Sequence, residues 1–476
     1  MTKLIVTTSG ILILVLCGTD LVCGQQPAPP RSGSAFFKRG PTDLRKFKMP
    51  EFPDRDKTKG KIAASSDGTA EATEDMLSEP ESELNETKAT GDWNGIRTKW
   101  EEKGYQFELS WTNFWQGVSD GGLRHRMNYG GKFIGGIKID GTKAGLFKNS
   151  IIKMGGEFRY EDSATRDVGA AIPVNTALIS PGEEGAVLGV NEFNYTQLFI
   201  RDKGLNIYAF SVGKFDTLDL FDDPFQGLSG IPKFFNLNQN GPVTAGRTVP
   251  IVTNGATFAW IRKGQPFFTL ALFDPKASET RAGISDLFSA GITIAPGVIL
   301  QSNFFGKTGR HSFSGAITTR KYTPFDQIPQ VIVPNPANPV VPKGGSWFVA
   351  YTLTQYLVQD EKDKTSGWGL FGTFSIADER TNPIRSQFTV GIGGNRLFRR
   401  SRDRFGISYS YIGFSDTLKD ALEPLIRIRA ENQFEAFYNW SIRPWLWLTG
   451  DLQIVSPLRR NVDMAVIPGA RLQIIF

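Results

Sequence analysis

The sequence predicts an all-β fold, a 16-stranded antiparallel transmembrane β-barrel with a short N-terminal helix, and three observations predict it. Apolar and polar residues alternate with a period of two through most of the chain after residue 105, and the polar face carries more charge than a soluble sandwich would hide. Beyond the N-terminus no stretch approaches the roughly 18 consecutive apolar residues of a membrane helix; hydrophobic residues make up 40% of the whole. The chain also stops on Phe476, at the end of an alternating strand. Strands with one greasy and one wet face suit a water-filled barrel set in lipid.

Residues 1–24 read as a secretory signal, with Lys3 as the positive start, Ile11 to Leu16 as the apolar core, and Val22 and Gly24 before a cut at Gln25. The two cysteines, Cys17 and Cys23, leave with it. Bulky Leu16 and Val22 precede them and argue against lipidation. The mature chain then has no thiol to mispair in an oxidising compartment, and no Cys ligand or nucleophile. Residues 25–90 read as a disordered periplasmic arm. Pro27, Pro29 and Pro30 lead into a basic run (Lys38, Arg39, Arg45, Lys46, Lys48) and then an acidic one (Glu71, Glu74, Asp75, Glu79, Glu81, Glu83, Glu86), with too few apolar residues for a core. The formal net charge is +6. Its Lys and Arg are scattered among strands rather than clustered, which excludes nucleic acid as a partner.

Residues 91–104, "GDWNGIRTKWEEKG", predict a short amphipathic helix with Asp92 as N-cap and Trp93, Ile96 and Trp100 on one face, a foot packed on the barrel rim. Residues 105–476 predict the barrel. Its first strand sets Phe107, Leu109 and Trp111 against Gln106, Glu108, Ser110 and Thr112. Another sets Ile152, Met154, Phe158 and Tyr160 against Lys153, Glu157 and Arg159. The last three carry Phe434 to Trp440, Leu446 to Ile454, and Met464 to Phe476 on their apolar sides. A first count gives about 17 candidate segments, whereas bacterial single-chain barrels have an even number. Both barrel ends should be periplasmic, where turns are short. The turns Arg201 to Gly204, Lys263 to Gln265, Ala295 to Gly297 and Ser441 to Pro444 fit that side only if His311 to Arg320 belongs to one outer loop from about Lys307 to Gly344. That leaves 16 strands, with large outer loops at Glu161 to Val190, Phe215 to Pro250 and Ser415 to Ala430.

"GDWNGIRTKWEEKGYQFELSW", "VGKFD" at Val212 to Asp216, and "FEAFYNWSIRPWLWLTGDLQIV" through to "RLQIIF" resemble the carbohydrate-selective porins of the OprB type. The resemblance spans about Gly91 to Phe476. It implies a 16-stranded barrel, usually monomeric, through which mono- or oligosaccharides diffuse past inward-folded loops. Outer-membrane lipid around the barrel and the barrel assembly machinery, reading Phe476, would be its other partners.

Sugar passage needs aromatic faces for the pyranose ring and fixed donors and acceptors for its hydroxyls, with no cofactor and no metal. Paired opposite charges serve, because they offer hydrogen bonds without giving the pore a strong sign. The candidates for the path are Lys153, Glu157 and Arg159 on one strand, Lys214 and Asp216 at the mouth of the third loop, Asp222 and Asp223 within it, and Glu435 and Asp451 near the seam. Phe221, Phe225, Phe234 and Phe235 are candidate stacking surfaces that could equally pack the loop against the wall. Any one of the charges could instead be a solvated lumen group or an interstrand ion pair. An anion or phosphate pore is the alternative within transport, favoured by the basic balance and by Arg124, Arg159 and Arg471. An enzyme or adhesin is the other class. His125 and His311, assigned to outer loops, lack ligand spacing, and no G-x-S-x-G motif is present.

Overall fold

The computed structural model describes residues 87–476 apart from positions 162, 183, 184, 228, 399 and 424. The expected signal and all but the end of the expected arm lie outside these residues. Sixteen strands close into one antiparallel barrel in which each pairs with its sequence neighbours and the first pairs with the last. They are β1 (Tyr105–Gly117), β2 (Met127–Asp140), β3 (Ser150–Glu161), β4 (Val187–Arg201), β5 (Asn206–Asp216), β6 (Val252–Arg262), β7 (Gln265–Phe273) and β8 (Thr293–Phe304). The second half comprises β9 (Lys307–Tyr322), β10 (Lys343–Gln359), β11 (Gly367–Ala377), β12 (Ile384–Asn395), β13 (Arg404–Phe414), β14 (Glu431–Arg443), β15 (Leu446–Ser456) and β16 (Ala465–Ile475).

The strand number is as expected, but one strand and one turn are not. His311 to Arg320 is not loop: it lies within β9, which pairs along its length with β8 and β10. The turn read at Ala295 to Gly297 lies inside β8, where Pro296 sits opposite Leu270. A Pro-Gly pair normally signals a turn, but Pro is tolerated in a sheet where its missing N–H is not needed by the ladder. The β8–β9 register supplies such a place, passing from Ile294 directly to Gly297. Gly297 is needed there because a Cβ would meet Thr269 Oγ1 at 2.6 Å. His311 is therefore on the wall, its Nδ1 2.7 Å from Tyr351 Oη and its Nε2 3.1 Å from Ser302 Oγ.

Alternation sorts the wall as a barrel in lipid requires. Phe133, Phe158, Phe210, Val349, Phe374, Ile407 and Leu452 are exposed on the outer face. The in-between positions Lys132, Glu157, Thr373, Ser408, Glu435 and Gln453 are covered inside. Tyr208, Phe258, Trp260 and Phe267 form part of an aromatic belt near the two-residue turn 263–264, and Tyr438 with Trp440 continues it near 444–445. Aromatic girdles at both interfaces are what a lipid-embedded barrel needs. Short turns and both ends of the barrel lie on this side, which is therefore periplasmic.

The N-terminal helix α1 (Ile96–Glu102) is a foot on this rim. Asp92 Oδ1 accepts the Thr98 amide at 2.7 Å, capping the helix from outside its first turn, and Trp100 packs edge-on to Tyr105 and Phe107. Arg97 is fully buried. Its guanidinium lies over the Trp93 ring and donates to the Gly91 carbonyl at 3.1 Å and to the main-chain oxygen of Phe476 at 2.8 Å. The segment entering the barrel and the end of its last strand are thus joined through one side chain. Arg97→Ala should cost about 1.5–3 kcal/mol of local stability, the worth of a charge-assisted bond. Trypsin should then cut faster at Lys99 and Lys103 while the barrel stays closed; unchanged cleavage would show that the foot is held by its aromatics alone.

Candidate functional site

The lumen is filled by loops. The second outer loop (162–186) and the third (217–251) fold inward, and their buried apolar residues pack on one another and on the wall. Ala177, Leu178, Ile231 and Phe235 meet Phe114 of β1, and Phe225 and Phe234 meet Tyr356, Phe371 and Phe437. Two glutamates on β14 grip the loops by their backbones. Glu431 accepts the amides of Ala171 at 2.8 Å and Ile172 at 3.2 Å. Glu435 accepts those of Phe235 at 2.5 Å and Asn236 at 3.1 Å. Arg471 of β16 completes the clamp, donating to the carbonyls of Gly230 at 2.8 Å and Lys233 at 3.0 Å and to Thr449 Oγ1 at 2.9 Å. Its guanidinium lies 4.6 Å from the Phe235 ring centre. The Arg471 guanidinium makes its bonds charge-assisted, about twice as strong as neutral ones.

The third loop consequently has two parts. From Phe225 to Thr248 it is mostly buried against the wall, whereas Asp219, Leu220, Asp222 and Pro224 are exposed, with Phe221 half-buried among them. This exposed stretch borders a cavity of 270 Å³. The facing wall is β6 to β11, through Thr257, Thr269, Ser312, Ser314, Thr352 and Thr373, with Arg310 beside them. Arg310 donates to the Asp222 carbonyl at 2.8 Å and so ties the loop's free stretch to β9. Hydroxyls set among Ala259, Ala271, Ala295, Ile299 and Phe348 on one side, with an aromatic ring and mixed charges on the other, make a surface that can exchange hydrogen bonds with a polyol and meet its apolar faces without holding it tightly.

The expected path residues fall into three groups. Lys153, Glu157 and Arg159 do share the inner face of β3. Glu157 pairs with Lys132 at 2.8 Å, both buried, and half-exposed Lys153 lies 3.5 Å from Glu192. Asp222 and Asp223 are at the free stretch. Asp222 lies 3.4 Å from the Lys233 ammonium, and Asp223 accepts from Thr354 of β10 and from the Phe225 amide at 3.0 Å. The rest are not at an open surface. Lys214 stands opposite Phe193 and Asn254, on the side away from the lumen, and its ammonium donates to the carbonyls of Ser278 at 2.7 Å and Arg281 at 2.6 Å in the fourth loop (274–292). Asp216 caps the start of the third loop through the Leu218 amide at 3.0 Å. Glu435 and Asp451 are buried beneath that loop. Phe225, Phe234 and Phe235 are buried too, as packing residues; Phe221 alone of the four lines the cavity. Residues missed from sequence are Lys132, Glu192 and Asp219, and also Arg310, which was hidden by reading β9 as loop.

Burial pushes the Asp223 carboxyl above its usual value, against the bonds from Thr354 and Phe225 that pull it down. A raised folded-state value means that the packed loop holds the proton more firmly than the unfolded chain. The contact with β10 is therefore favoured by acid, fully so below the unfolded value of about 3.9, and loses that contribution as pH rises through the folded value. Open-channel current noise should fall as pH is lowered from neutrality, and Asp223→Asn should flatten that dependence.

A closed barrel with an apolar outer belt and a polar lumen narrowed by its own loops is a channel of the outer-membrane porin class. Residues 124–476 match the family described as "Carbohydrate-selective porin, OprB family". Porin B of Pseudomonas aeruginosa is 22% identical over 438 residues, covering 81% of this chain and 90% of its own. The high-pH structure of Pseudomonas putida OprB superposes with a TM-score of 0.69 at 19% identity, over 83% of this chain and 99% of that one. The chain belongs to the OprB family of carbohydrate-selective porins. It is an outer-membrane porin for sugars.

Proposed function

We propose that neutral mono- or oligosaccharides cross by passive diffusion along the cavity between the free stretch of the third loop and the inner wall of β6 to β11. The observation that carries this reading is the division of the loop into a clamped part and an exposed part bordering a hydroxyl-lined wall. Phe221 offers an apolar face to a sugar ring, while Arg310, Asp222 and the wall hydroxyls exchange hydrogen bonds with it. Lys153, Glu192 and Asp219 supply mixed charge on the other side of the loop, with Lys132 and Glu157 paired beneath them, which keeps the ionic preference weak. No covalent step is involved. The remaining parts of the reading are a signal cut before Gln25, a periplasmic arm to residue 90, insertion by assembly machinery that reads Phe476, and a monomer embedded in outer-membrane lipid.

Liposome swelling with neutral sugars and matched salts tests it. Sugars should enter at rates that fall with size, and Phe221→Ala and Arg310→Ala should each slow them by roughly two- to tenfold, the worth of one stacking or hydrogen-bond contact. Strong selectivity for chloride or phosphate, with no block by sugars, would transfer the path to anions.

A further inference from the structure

The turn joining β12 to β13 (396–403) is among the longer ones on the periplasmic side and carries Arg396, Arg400 and Arg402. It folds outward rather than under the pore. The Phe398 ring, 66% exposed, packs 5.8 Å from that of Tyr438, which in turn lies 5.2 Å from Trp440 in the lower aromatic belt. The arginines beside it are therefore at the depth where lipid headgroups begin. Arg400 is fixed there. Its Nε donates to Asp403 at 2.6 Å and a terminal nitrogen to the Ser441 carbonyl at 3.2 Å. Asp403 is already used, accepting also from Tyr438 Oη at 2.8 Å and the Ser441 amide at 3.0 Å. Between this turn and the end of β14 lies a second cavity, of 460 Å³, lined by Arg400, Arg402, Asp403, Ile442 and Arg443 among others. Three arginines and one carboxylate thus line it, Arg400 being the one bound to Asp403, beside exposed Ile442 and Trp440.

We propose that this cavity binds the phosphate of an anionic phospholipid of the periplasmic leaflet, whose acyl chains lie along Phe398, Trp440 and Ile442. Guanidinium forks match phosphate oxygens two at a time, and the adjoining apolar side chains cover the start of the lipid tails. A free phosphate would use the same arginines but gain nothing from the apolar wall. A phosphatidylcholine would meet its choline cation with three arginines.

The full chain in detergent, examined by native mass spectrometry, separates these cases. Wild type should retain phosphatidylglycerol over phosphatidylcholine of the same chains by roughly tenfold, the effect of one or two basic residues near a lipid surface. R402Q/R443Q should lose that preference while keeping the heat-modifiable band of a folded barrel; R402Q alone, at an exposed position, should show an intermediate loss. F398S should weaken both lipids alike. Equal retention of phosphatidylglycerol by wild type and R402Q/R443Q, or its displacement by millimolar inorganic phosphate, would overturn the proposal.

Discussion

Replacing Arg471 with leucine should release the third loop from the wall and widen the channel. Arg471 is 1% exposed, and its three donated bonds end on Gly230, Lys233 and Thr449. Leucine fills much of the volume but leaves two buried loop carbonyls without their donor. Each buried polar group left unpaired in this way costs about 1–3 kcal/mol. The strands stay paired by their own ladders, so the loss is felt by the loop. Single-channel conductance should rise and block by sugars should fall, with the folded band on a gel preserved. Unchanged conductance and block would mean that the apolar contacts of Phe225, Phe234 and Phe235 hold the loop unaided. Glu435→Gln should do less, because its two accepted amide bonds can survive on a neutral acceptor.

The wall was legible in the sequence and the clamp was not, for one physical reason. Alternation reports which face a strand residue takes, so the inner positions of β3 and β14 could be read directly from Lys153, Glu157, Arg159 and Glu435. It does not report what an inner residue meets. Glu435 and Asp451 read as open lumen charges because nothing local shows that a loop some 200 residues away lies over them. The phenylalanines of that loop were ambiguous for the same cause: Phe221 and Phe225 are four residues apart, yet one borders the cavity and the other is 2% exposed. β9 was lost differently. Its inner face is Ser312, Ser314 and Ala316, too small to stand out against outer Phe313 and Ile317, and Pro296-Gly297 supplied a false turn nearby. The two errors offset in the strand count, leaving the number right and the register wrong, and Arg310 was missed with the strand that carries it.

Register also decides which lipid-facing substitution is damaging. Alternation alone puts Leu448, Leu452 and Leu472 on one face without saying how deep each lies. The pairing places Leu448 and Leu472 opposite each other and Leu448 opposite Trp440, close to the periplasmic end of β15. An ammonium there can reach the headgroups along its own stem. Leu452 is in the middle of the strand, between Ala436 and Pro468, and faces lipid. Leu452→Lys should therefore destabilise the barrel by about 2–4 kcal/mol and Leu448→Lys by about 0–1. Reversible denaturant unfolding in lipid vesicles measures the difference directly. Equal losses at the two positions would mean that the bilayer is centred lower on the barrel than the aromatic belt requires, and the arginines of the β12–β13 turn would then lie within the hydrocarbon rather than at the headgroups.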